Sequence, residues 1–585
     1  MNGVSVCVLG RERPRPEGDA QRTLTVGTLG PHGTLETTFG ERVRELDGRV
    51  RSGRASGAKR TPPRWSGPGR LVRSQADSSN SRARFVLFLS WKLGSSHTAM
   101  ICISVTPESR KLAKADLVNA ARRGDLIELC LDRLIKEPDV GDLVKAVDKP
   151  VLVSCRRPEE GGHFQGSEEQ RLRLLREAVV AEPAYVELDL DTARKIPRYG
   201  PTKRVVSYTS LDRPLGNVDR IFQQAKLADA DVVKFTWPTK TLEEAWPLLA
   251  AVAKKRDLPV VGLGIGPAGL TFSLLGRKYG SPWIYAALEK GMEAFQGQPT
   301  VWELDEVHHW REIGPTTRFI GVMGYGPDEM TLCRVFNTAF KKKGLNARML
   351  PFDCKSLEKL KQMLDILKIN AVLAGPSRRE TLLQFADKAE EAAKIGRAAD
   401  VVLKQPDGWH AYNSLWRSAV RVLERTLQAG GKGEKPLERS NVMVIGNGPL
   451  AQTVVYGLKR RNAVISVASP RDVSARDVAQ EYGVRHIQFA AVYSTLVDVV
   501  VLADPDLKPG IRKSEFNPSY FQPPLTVMDV CRLPEDSVFV REARDRECRI
   551  VEPRQIFLDQ AATLFKSLTG KDVSVEELEE GLVES

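Results

Sequence analysis

The sequence predicts an α/β protein: a (β/α)8 barrel followed by two smaller α/β units. Three observations predict it. From residue 100 to about 312, short apolar runs alternate eight times with helical stretches. A second strand–helix series opens at Arg318 and runs to about 430. A third unit begins with the apolar run Asn441-Val442-Met443-Val444-Ile445, which ends in a glycine-rich turn. At 585 residues the chain is also too long for a single core. An open, doubly wound sheet is the competing arrangement for the first unit.

Taken in order, residues 1–99 are rich in Arg, Gly, Ser and Pro and show no sustained hydrophobic period, so they are expected to be a disordered basic extension. The strand that opens at Met100 suggests a translation start there; a targeting or RNA-binding arm is the alternative. The barrel, 100–312, takes strands at 101–105, 126–131, 151–155, 185–190, 205–209, 232–237, 260–265 and 283–288, with helices such as 168–180, 218–227 and 242–254 between them. The second unit, 315–430, has a strand at 318–323, helices near 329–342 and 357–367, and a strand at 370–373. Ala429-Gly430-Gly431-Lys432-Gly433 reads as a linker. The third unit covers 438–530, and helices within 531–585 are expected to pack back on the second.

The net charge of +13 does not point to nucleic acid. Residues 1–99 hold 17 Lys and Arg against 8 Asp and Glu, so about +9 of the excess lies there. The folded remainder is nearly balanced. Eight cysteines lack paired CxxC spacing, and Cys102, Cys130 and Cys155 fall in or beside strands. That pattern predicts reduced, core-lining thiols in a cytoplasmic protein, with no disulfide framework and no metal site. No run is long and apolar enough to span a membrane.

The residue with the most chemistry is Lys234, at the end of Val232-Val233-Lys234-Phe235-Thr236-Trp237. An amine at the carboxyl end of a barrel strand points into the mouth, where burial favours the neutral, nucleophilic form and Schiff-base chemistry with a carbonyl. The plainer reading is a lysine that snorkels to solvent. Glu128 is a charge inside the apolar run Ile127-Glu128-Leu129, expensive unless paired, and is expected to face Arg156 or a ligand. A purely structural ion pair is the other possibility. Arg156 and Glu160 follow the third strand, and Gln298 follows the eighth.

In the third unit, Gly446-x-Gly448-x-x-Ala451 joins a strand to a helix, which lets backbone amides approach a pyrophosphate. Pro449 removes one of those amides. The next strand ends in Ser469-Pro470-Arg471, and an arginine there suits a ribose 2′-phosphate, so NADP is expected ahead of NAD. A bare tight turn and an exposed loop arginine are the competing readings.

On these residues, 100–312 resembles the type I 3-dehydroquinate dehydratases, (β/α) barrels that form an imine between a lysine and a substrate ketone. The chain from 315 onwards resembles a shikimate dehydrogenase, and the order matches the fused dehydratase–dehydrogenase proteins of aromatic amino acid and chorismate biosynthesis. The resemblance implies 3-dehydroquinate as substrate, Lys234 as the imine lysine, Glu128, Arg156 and Gln298 as hydroxyl-binding groups, and Glu160 as the group that positions the acid–base residue. Three positions depart from the family pattern: Thr209 stands for the acid–base histidine, Ser273 for the carboxylate-binding arginine, and Cys130 for a second arginine. His163 and Arg277 are candidate stand-ins.

In the second half the shikimate-binding S-x-S-P segment is Met330-Thr331-Leu332-Cys333, the catalytic lysine is Arg378 and its partner aspartate is Leu415, next to Asn413 and Ser414. Arg378 stays protonated and is a poor proton donor. Asn413, Asp529 and Gln560 are expected to bind substrate, and Gly446, Gly448, Ala451 and Arg471 to bind NADP. These losses leave the dehydrogenase half in doubt. A catalytically degenerate scaffold, or a sensor of NADP or a metabolite, is the alternative for the whole chain.

Overall fold

The computed structural model describes residues 99–582; the expectations for 1–99 lie outside the described residues, Ala99 apart. Eight parallel strands follow one another as β1 Met100–Val105, β2 Leu126–Cys130, β3 Val151–Ser154, β4 Tyr185–Asp189, β5 Lys203–Thr209, β6 Val232–Pro238, β7 Val260–Ile265 and β8 Trp283–Ala287. Their order in the sheet is β7-β6-β5-β4-β3-β2-β1-β8. The ring is almost closed: every junction is hydrogen-bonded except β7–β8, which is bridged nearby by Gly266 N–H donating to Gln296 O (2.7 Å). The expected (β/α)8 barrel is thus present, with its hydrogen-bond ladder open at one seam.

The strands are near-continuous apolar runs because both faces are covered. One face, with Ile101, Ile103, Ile127, Leu129, Val153, Val233 and Phe235, packs on the surrounding helices. The alternate residues form a separate inner cluster of Cys102, Leu126, Leu152, Val205, Val232, Val261, Trp283 and Tyr285. Side chains repeat with period two, so the residues two further along the inner face are Ser104, Glu128, Ser154, Ser207 and Lys234. That repeat carries the polar residues into the barrel. Helix 168–180 starts at a capping box, with Ser167 accepting from Gln170 N–H (3.3 Å) and Gln170 Oε1 accepting from Ser167 N–H (2.8 Å).

The second sheet contains β9 Arg318–Met323, β10 Ala347–Phe352, β11 Ala371–Ala374, β12 Lys388–Ala389, β13 Val401–Gln405 and β14 Gly408–Tyr412, in the order β10-β9-β11-β13-β14-β12. The third contains β15 Asn441–Ile445, β16 Val464–Ala468, β17 Arg485–His486, β18 Val499–Leu502, β21 Thr526–Asp529 and β22 Arg549–Val551; a short ribbon, β19 Lys508–Pro509 and β20 Glu515–Phe516, precedes β21. Its order, β17-β16-β15-β18-β21-β22, is all parallel, with the central strands outside their chain order, as in dinucleotide-binding sheets. The third sheet continues past residue 530 to β22. From the segment beyond 530, it is helix Pro553–Thr569 and helix Val575–Glu579 that return to the second unit, where Phe557, Leu564, Phe565 and Leu578 share a core with Phe336 and Phe340.

The barrel and the second sheet meet directly. Thr271 Oγ1, in the helix after β7, donates to Pro351 O and lies within hydrogen-bond distance of the Tyr325 hydroxyl, 2.6 Å in both cases. Glu243 accepts from the backbone N–H groups of Lys355 (2.8 Å) and Ser356 (2.9 Å). No described helix is long and apolar enough to cross a membrane.

Candidate active site

Lys234 does not snorkel. Its side chain is wholly buried inside the barrel. Nζ donates to Glu187 Oε2 at 2.7 Å and lies 3.8 Å from Glu128 Oε1 and 4.3 Å from the centre of the Tyr285 ring. Glu128, equally buried, is ion-paired with Arg156 and accepts from Ser104 Oγ (2.6 Å). Arg156 Nε is 3.7 Å from Glu187 Oε1, and its guanidinium lies over the Phe295 ring. Two cations and two carboxylates thus neutralise one another in a buried interior, the condition under which buried charge is tolerated. Burial pushes the Glu128 carboxyl up, but Arg156, Lys234 and the Ser104 hydroxyl overcome it and hold it below the usual range.

Glu187 was missed by sequence reasoning although the same signal that flagged Glu128 marks it. It is an acid in an apolar strand, Tyr185-Val186-Glu187-Leu188, and two residues from Tyr185, which also turns inward.

Gln298 closes the far side of the cluster: Nε2 donates to Ser104 Oγ (3.1 Å) and Oε1 accepts from Ala294 N–H (2.9 Å). Both ends of its amide are engaged within the protein. Above the cluster is a cavity of about 10 Å³ lined by Arg156, Glu160, Arg171, Glu187, Asp189, Ser207 and Thr209, room for about one water. Glu160 pairs with Arg157 at 3.3 Å, yet burial and Asp189 raise its carboxyl, only partly offset by that arginine.

Other expected groups lie elsewhere. Ser273 Oγ donates to Gly269 O (2.9 Å) within its own helix, where a short hydroxyl satisfies itself locally instead of reaching the barrel. Arg277 lies over the Trp310 ring, 5.4 Å from its centre, so it does not replace the missing arginine. His163 lines a separate cavity of about 320 Å³ with Leu134, Phe164 and Gln170, and is no stand-in base for the small cavity.

In the second half, Arg378 is ion-paired with Asp353 and is absent from the cleft beside it. The cleft, about 40 Å³, is lined instead by Arg379, Asp400 and Gln560, with Leu332, Leu373, Val530, Leu533, Phe557 and Leu564. Asn413 turns away, donating from Nδ2 to Thr453 Oγ1 (3.0 Å) and Ala398 O (3.2 Å). Asp529 is buried and spent on its own loop, accepting from Cys531 N–H (2.8 Å). Only Gln560 of these three reaches the cleft. Asp400 was not anticipated: a lone acid before a strand carries no local signal of what it faces.

The turn at Gly446 is tight, and its first glycine is sterically required. Gly446 has φ +146°, and a Cβ there would lie 2.5 Å from Ala503 O, so the residue has to be glycine. A Cβ at Gly448 would meet nothing within 4 Å, which leaves open space at the start of helix Pro449–Lys459. Ala451 is buried against the sheet. Arg471 is exposed at the end of β16 and pairs with Asp506 at 3.0 Å. These residues fit a pyrophosphate at the turn and an anion at Arg471. Among the described residues, no group of three or more His, Cys, Asp or Glu side chains is placed to hold a metal ion, and the cysteines there are free.

Fold and site together define a (β/α) barrel with an interior lysine–carboxylate–arginine cluster, joined to a two-sheet unit of dinucleotide-binding type. Residues 101–315 match the family model of type I 3-dehydroquinase. Over 496 residues the chain is 24% identical to the chloroplastic bifunctional 3-dehydroquinate dehydratase/shikimate dehydrogenase of Arabidopsis thaliana, covering 81% of this chain and 82% of that one. It is 28% identical over 220 residues to a 3-dehydroquinate dehydratase of Desulfotalea psychrophila, covering 36% of this chain and 96% of the relative. It is 24% identical over 268 residues to the shikimate dehydrogenase (NADP(+)) of Pyrococcus furiosus, covering 45% and 94%. The resemblance to the fused dehydratase–dehydrogenase proteins therefore spans both halves.

Proposed function

We propose that the barrel dehydrates 3-dehydroquinate to 3-dehydroshikimate through an imine at Lys234, within aromatic amino acid and chorismate biosynthesis. The observation that carries this reading is the 2.7 Å contact between Lys234 Nζ and Glu187 Oε2 in a fully buried site. Glu187 takes the ammonium proton, and the freed nitrogen adds to the ketone carbon. The N–C bond forms and the carbonyl oxygen departs as water, leaving the imine. A proton then leaves the carbon next to the imine, the electron pair moves through the enamine, and the substrate hydroxyl departs as a second water. Hydrolysis of the imine consumes one water and returns the lysine, so the net change is loss of one water from the substrate.

Glu160 is the group for the carbon-bound proton. It lines the small cavity with Thr209, whose hydroxyl is a poor base, and its raised carboxyl brings it nearer the operating pH. Ligand entry requires the Arg156–Glu128 and Lys234–Glu187 pairs to open, with substrate hydroxyls taking the places of the side-chain partners. In the second half Gly446, Gly448, Ala451 and Arg471 would hold NADP, which would supply hydride chemistry there.

The small cavity and the mutually satisfied charges also favour a second reading, a barrel that keeps its charge cluster for stability alone. Turnover of dehydroquinate, followed by absorbance of the conjugated product, separates the two. The enzymatic reading expects turnover in the intact chain and loss of it in Lys234→Ala. Equal rates in both, or none in the intact chain, supports the structural one.

A further inference from the structure

An ion pair lies across the glycine turn of the third unit. In that sheet β15 sits between β16 and β18, so the loops that leave those two strands flank the turn at Gly446. Both loops touch it. After β16, the buried Ser469 donates its hydroxyl to Asn447 Oδ1 in the turn (3.2 Å), and Arg471 N–H donates to Ser469 Oγ (3.1 Å). After β18, Ala503 N–H donates to Ile445 O (2.9 Å), and Ala503 O would lie 2.5 Å from a Cβ at Gly446. Asp504 Oδ1 then accepts from Asp506 N–H (3.1 Å), which folds this loop back as an Asx turn.

The two loops are joined where Arg471 Nη2 donates to Asp506 Oδ2 at 3.0 Å. The pair spans the carboxyl end of β15, beside the point where strand order reverses and where such sheets take dinucleotides. Asp472, the next residue after Arg471, is turned instead to His486 Nε2 (3.0 Å) and Arg476 (3.6 Å). Asp506 is thus the carboxylate that holds the arginine suited to a ribose 2′-phosphate. A phosphate arriving at Arg471 has to displace that carboxylate and lie near its negative charge. A ribose with a free 2′-hydroxyl brings no charge and does not compete.

We propose that Asp506 sets the choice between phosphorylated and unphosphorylated dinucleotide by competing with the 2′-phosphate for Arg471. The inference rests on this turn being the NADP site and deepens that reading. Arg471 and Asp506 are both more than half exposed, so their pair is weak, and the competition amounts to about three- to five-fold in affinity.

Two fragments test it on the full chain: adenosine 2′,5′-bisphosphate and adenosine 5′-monophosphate differ only in the 2′-phosphate. Ligand-observed NMR at low salt gives their affinities without turnover. Asp506→Asn should tighten the bisphosphate by about three- to five-fold and move the monophosphate by less than about two-fold. Arg471→Ala, added to Asp506→Asn, should remove that gain. Asp504→Asn removes the same charge two residues away and keeps an oxygen for the turn, so it should move either fragment by less than about two-fold. An equal gain for both fragments, an equal gain from Asp504→Asn, or no change in Asp506→Asn would overturn the proposal while leaving the cofactor site in place. Failure of both fragments to bind the parent and every variant would overturn the cofactor reading, and the proposal with it.

Discussion

Replacing Lys234 by Met removes one charge from the barrel interior while nearly preserving its shape. In the intact protein the ammonium faces Glu187 at 2.7 Å and Glu128 at 3.8 Å, and all three side chains are at least 96% buried. The variant leaves two carboxylates to share Arg156. Removing one partner of a buried pair costs about 3–5 kcal/mol, so a loss of that order is expected near pH 7.5. The deficit should depend on pH. Without the lysine, one carboxyl of the pair takes up a proton more readily in the folded variant than in the unfolded chain. The folded variant then binds more protons, and its stability falls as pH rises through that window. The deficit is therefore smaller in mild acid than at neutral pH. Adding Glu187→Gln to the Met variant should recover more than half the loss, because the pair is coupled. Hydrogen exchange of peptides from β4 and β6, read by mass spectrometry, measures the local opening free energy in a chain of several units. A Met variant as protected as the parent at pH 7.5, or a deficit that does not change between pH 5 and 8, refutes the view that this lysine compensates two buried carboxylates.

Three further outcomes are expected. Thr209→His, which puts an imidazole on the wall of the small cavity, should raise dehydroquinate turnover, within the roughly 10²–10⁴-fold range of general acid–base assistance; an unchanged rate removes Thr209 from the site. His308 is wholly buried, neither ring nitrogen has a partner, and burial pushes its pKa down to about 3. The unfolded chain therefore binds the extra proton between about pH 3 and 6.5, stability is lost as pH falls through that window, and His308→Gln should flatten a slope of up to about 1.4 kcal/mol per pH unit in acid unfolding curves. Gly446→Ala sets a Cβ 2.5 Å from Ala503 O at a positive φ, so it should cost about 1–3 kcal/mol and abolish NADPH binding measured by fluorescence titration; unimpaired binding would place the cofactor elsewhere.

The barrel strands were legible because each is an apolar run closed by a change of period, and the helix at 168–180 because it fills the interval between two such runs. Lys234 and Glu128 stood out as charges inside such runs. Glu187 satisfied the same criterion and was passed over, since it lies two residues before a second acid, Asp189, that masks it as a polar strand end. The second cleft was harder to read. Arg378 and Arg379 are adjacent, and only the short turn Pro376–Arg378 decides which faces Asp353 and which faces the cleft. Asp400 gains its role from Ser414 and Gln560, 14 and 160 positions away. The strand Arg549–Val551 is too short to show a period, so the extent of the third sheet was set by pairing with β21 and not by local sequence.

The central claim is that the Lys234 nitrogen bonds covalently to the ketone carbon of its substrate. Reduction with borohydride in the presence of dehydroquinate, followed by peptide mass mapping, tests it most directly. A mass increase confined to the peptide containing Lys234, absent without substrate and absent in Lys234→Ala, is the expected result. An unmodified Lys234 peptide under conditions where dehydroquinate is turned over would contradict it.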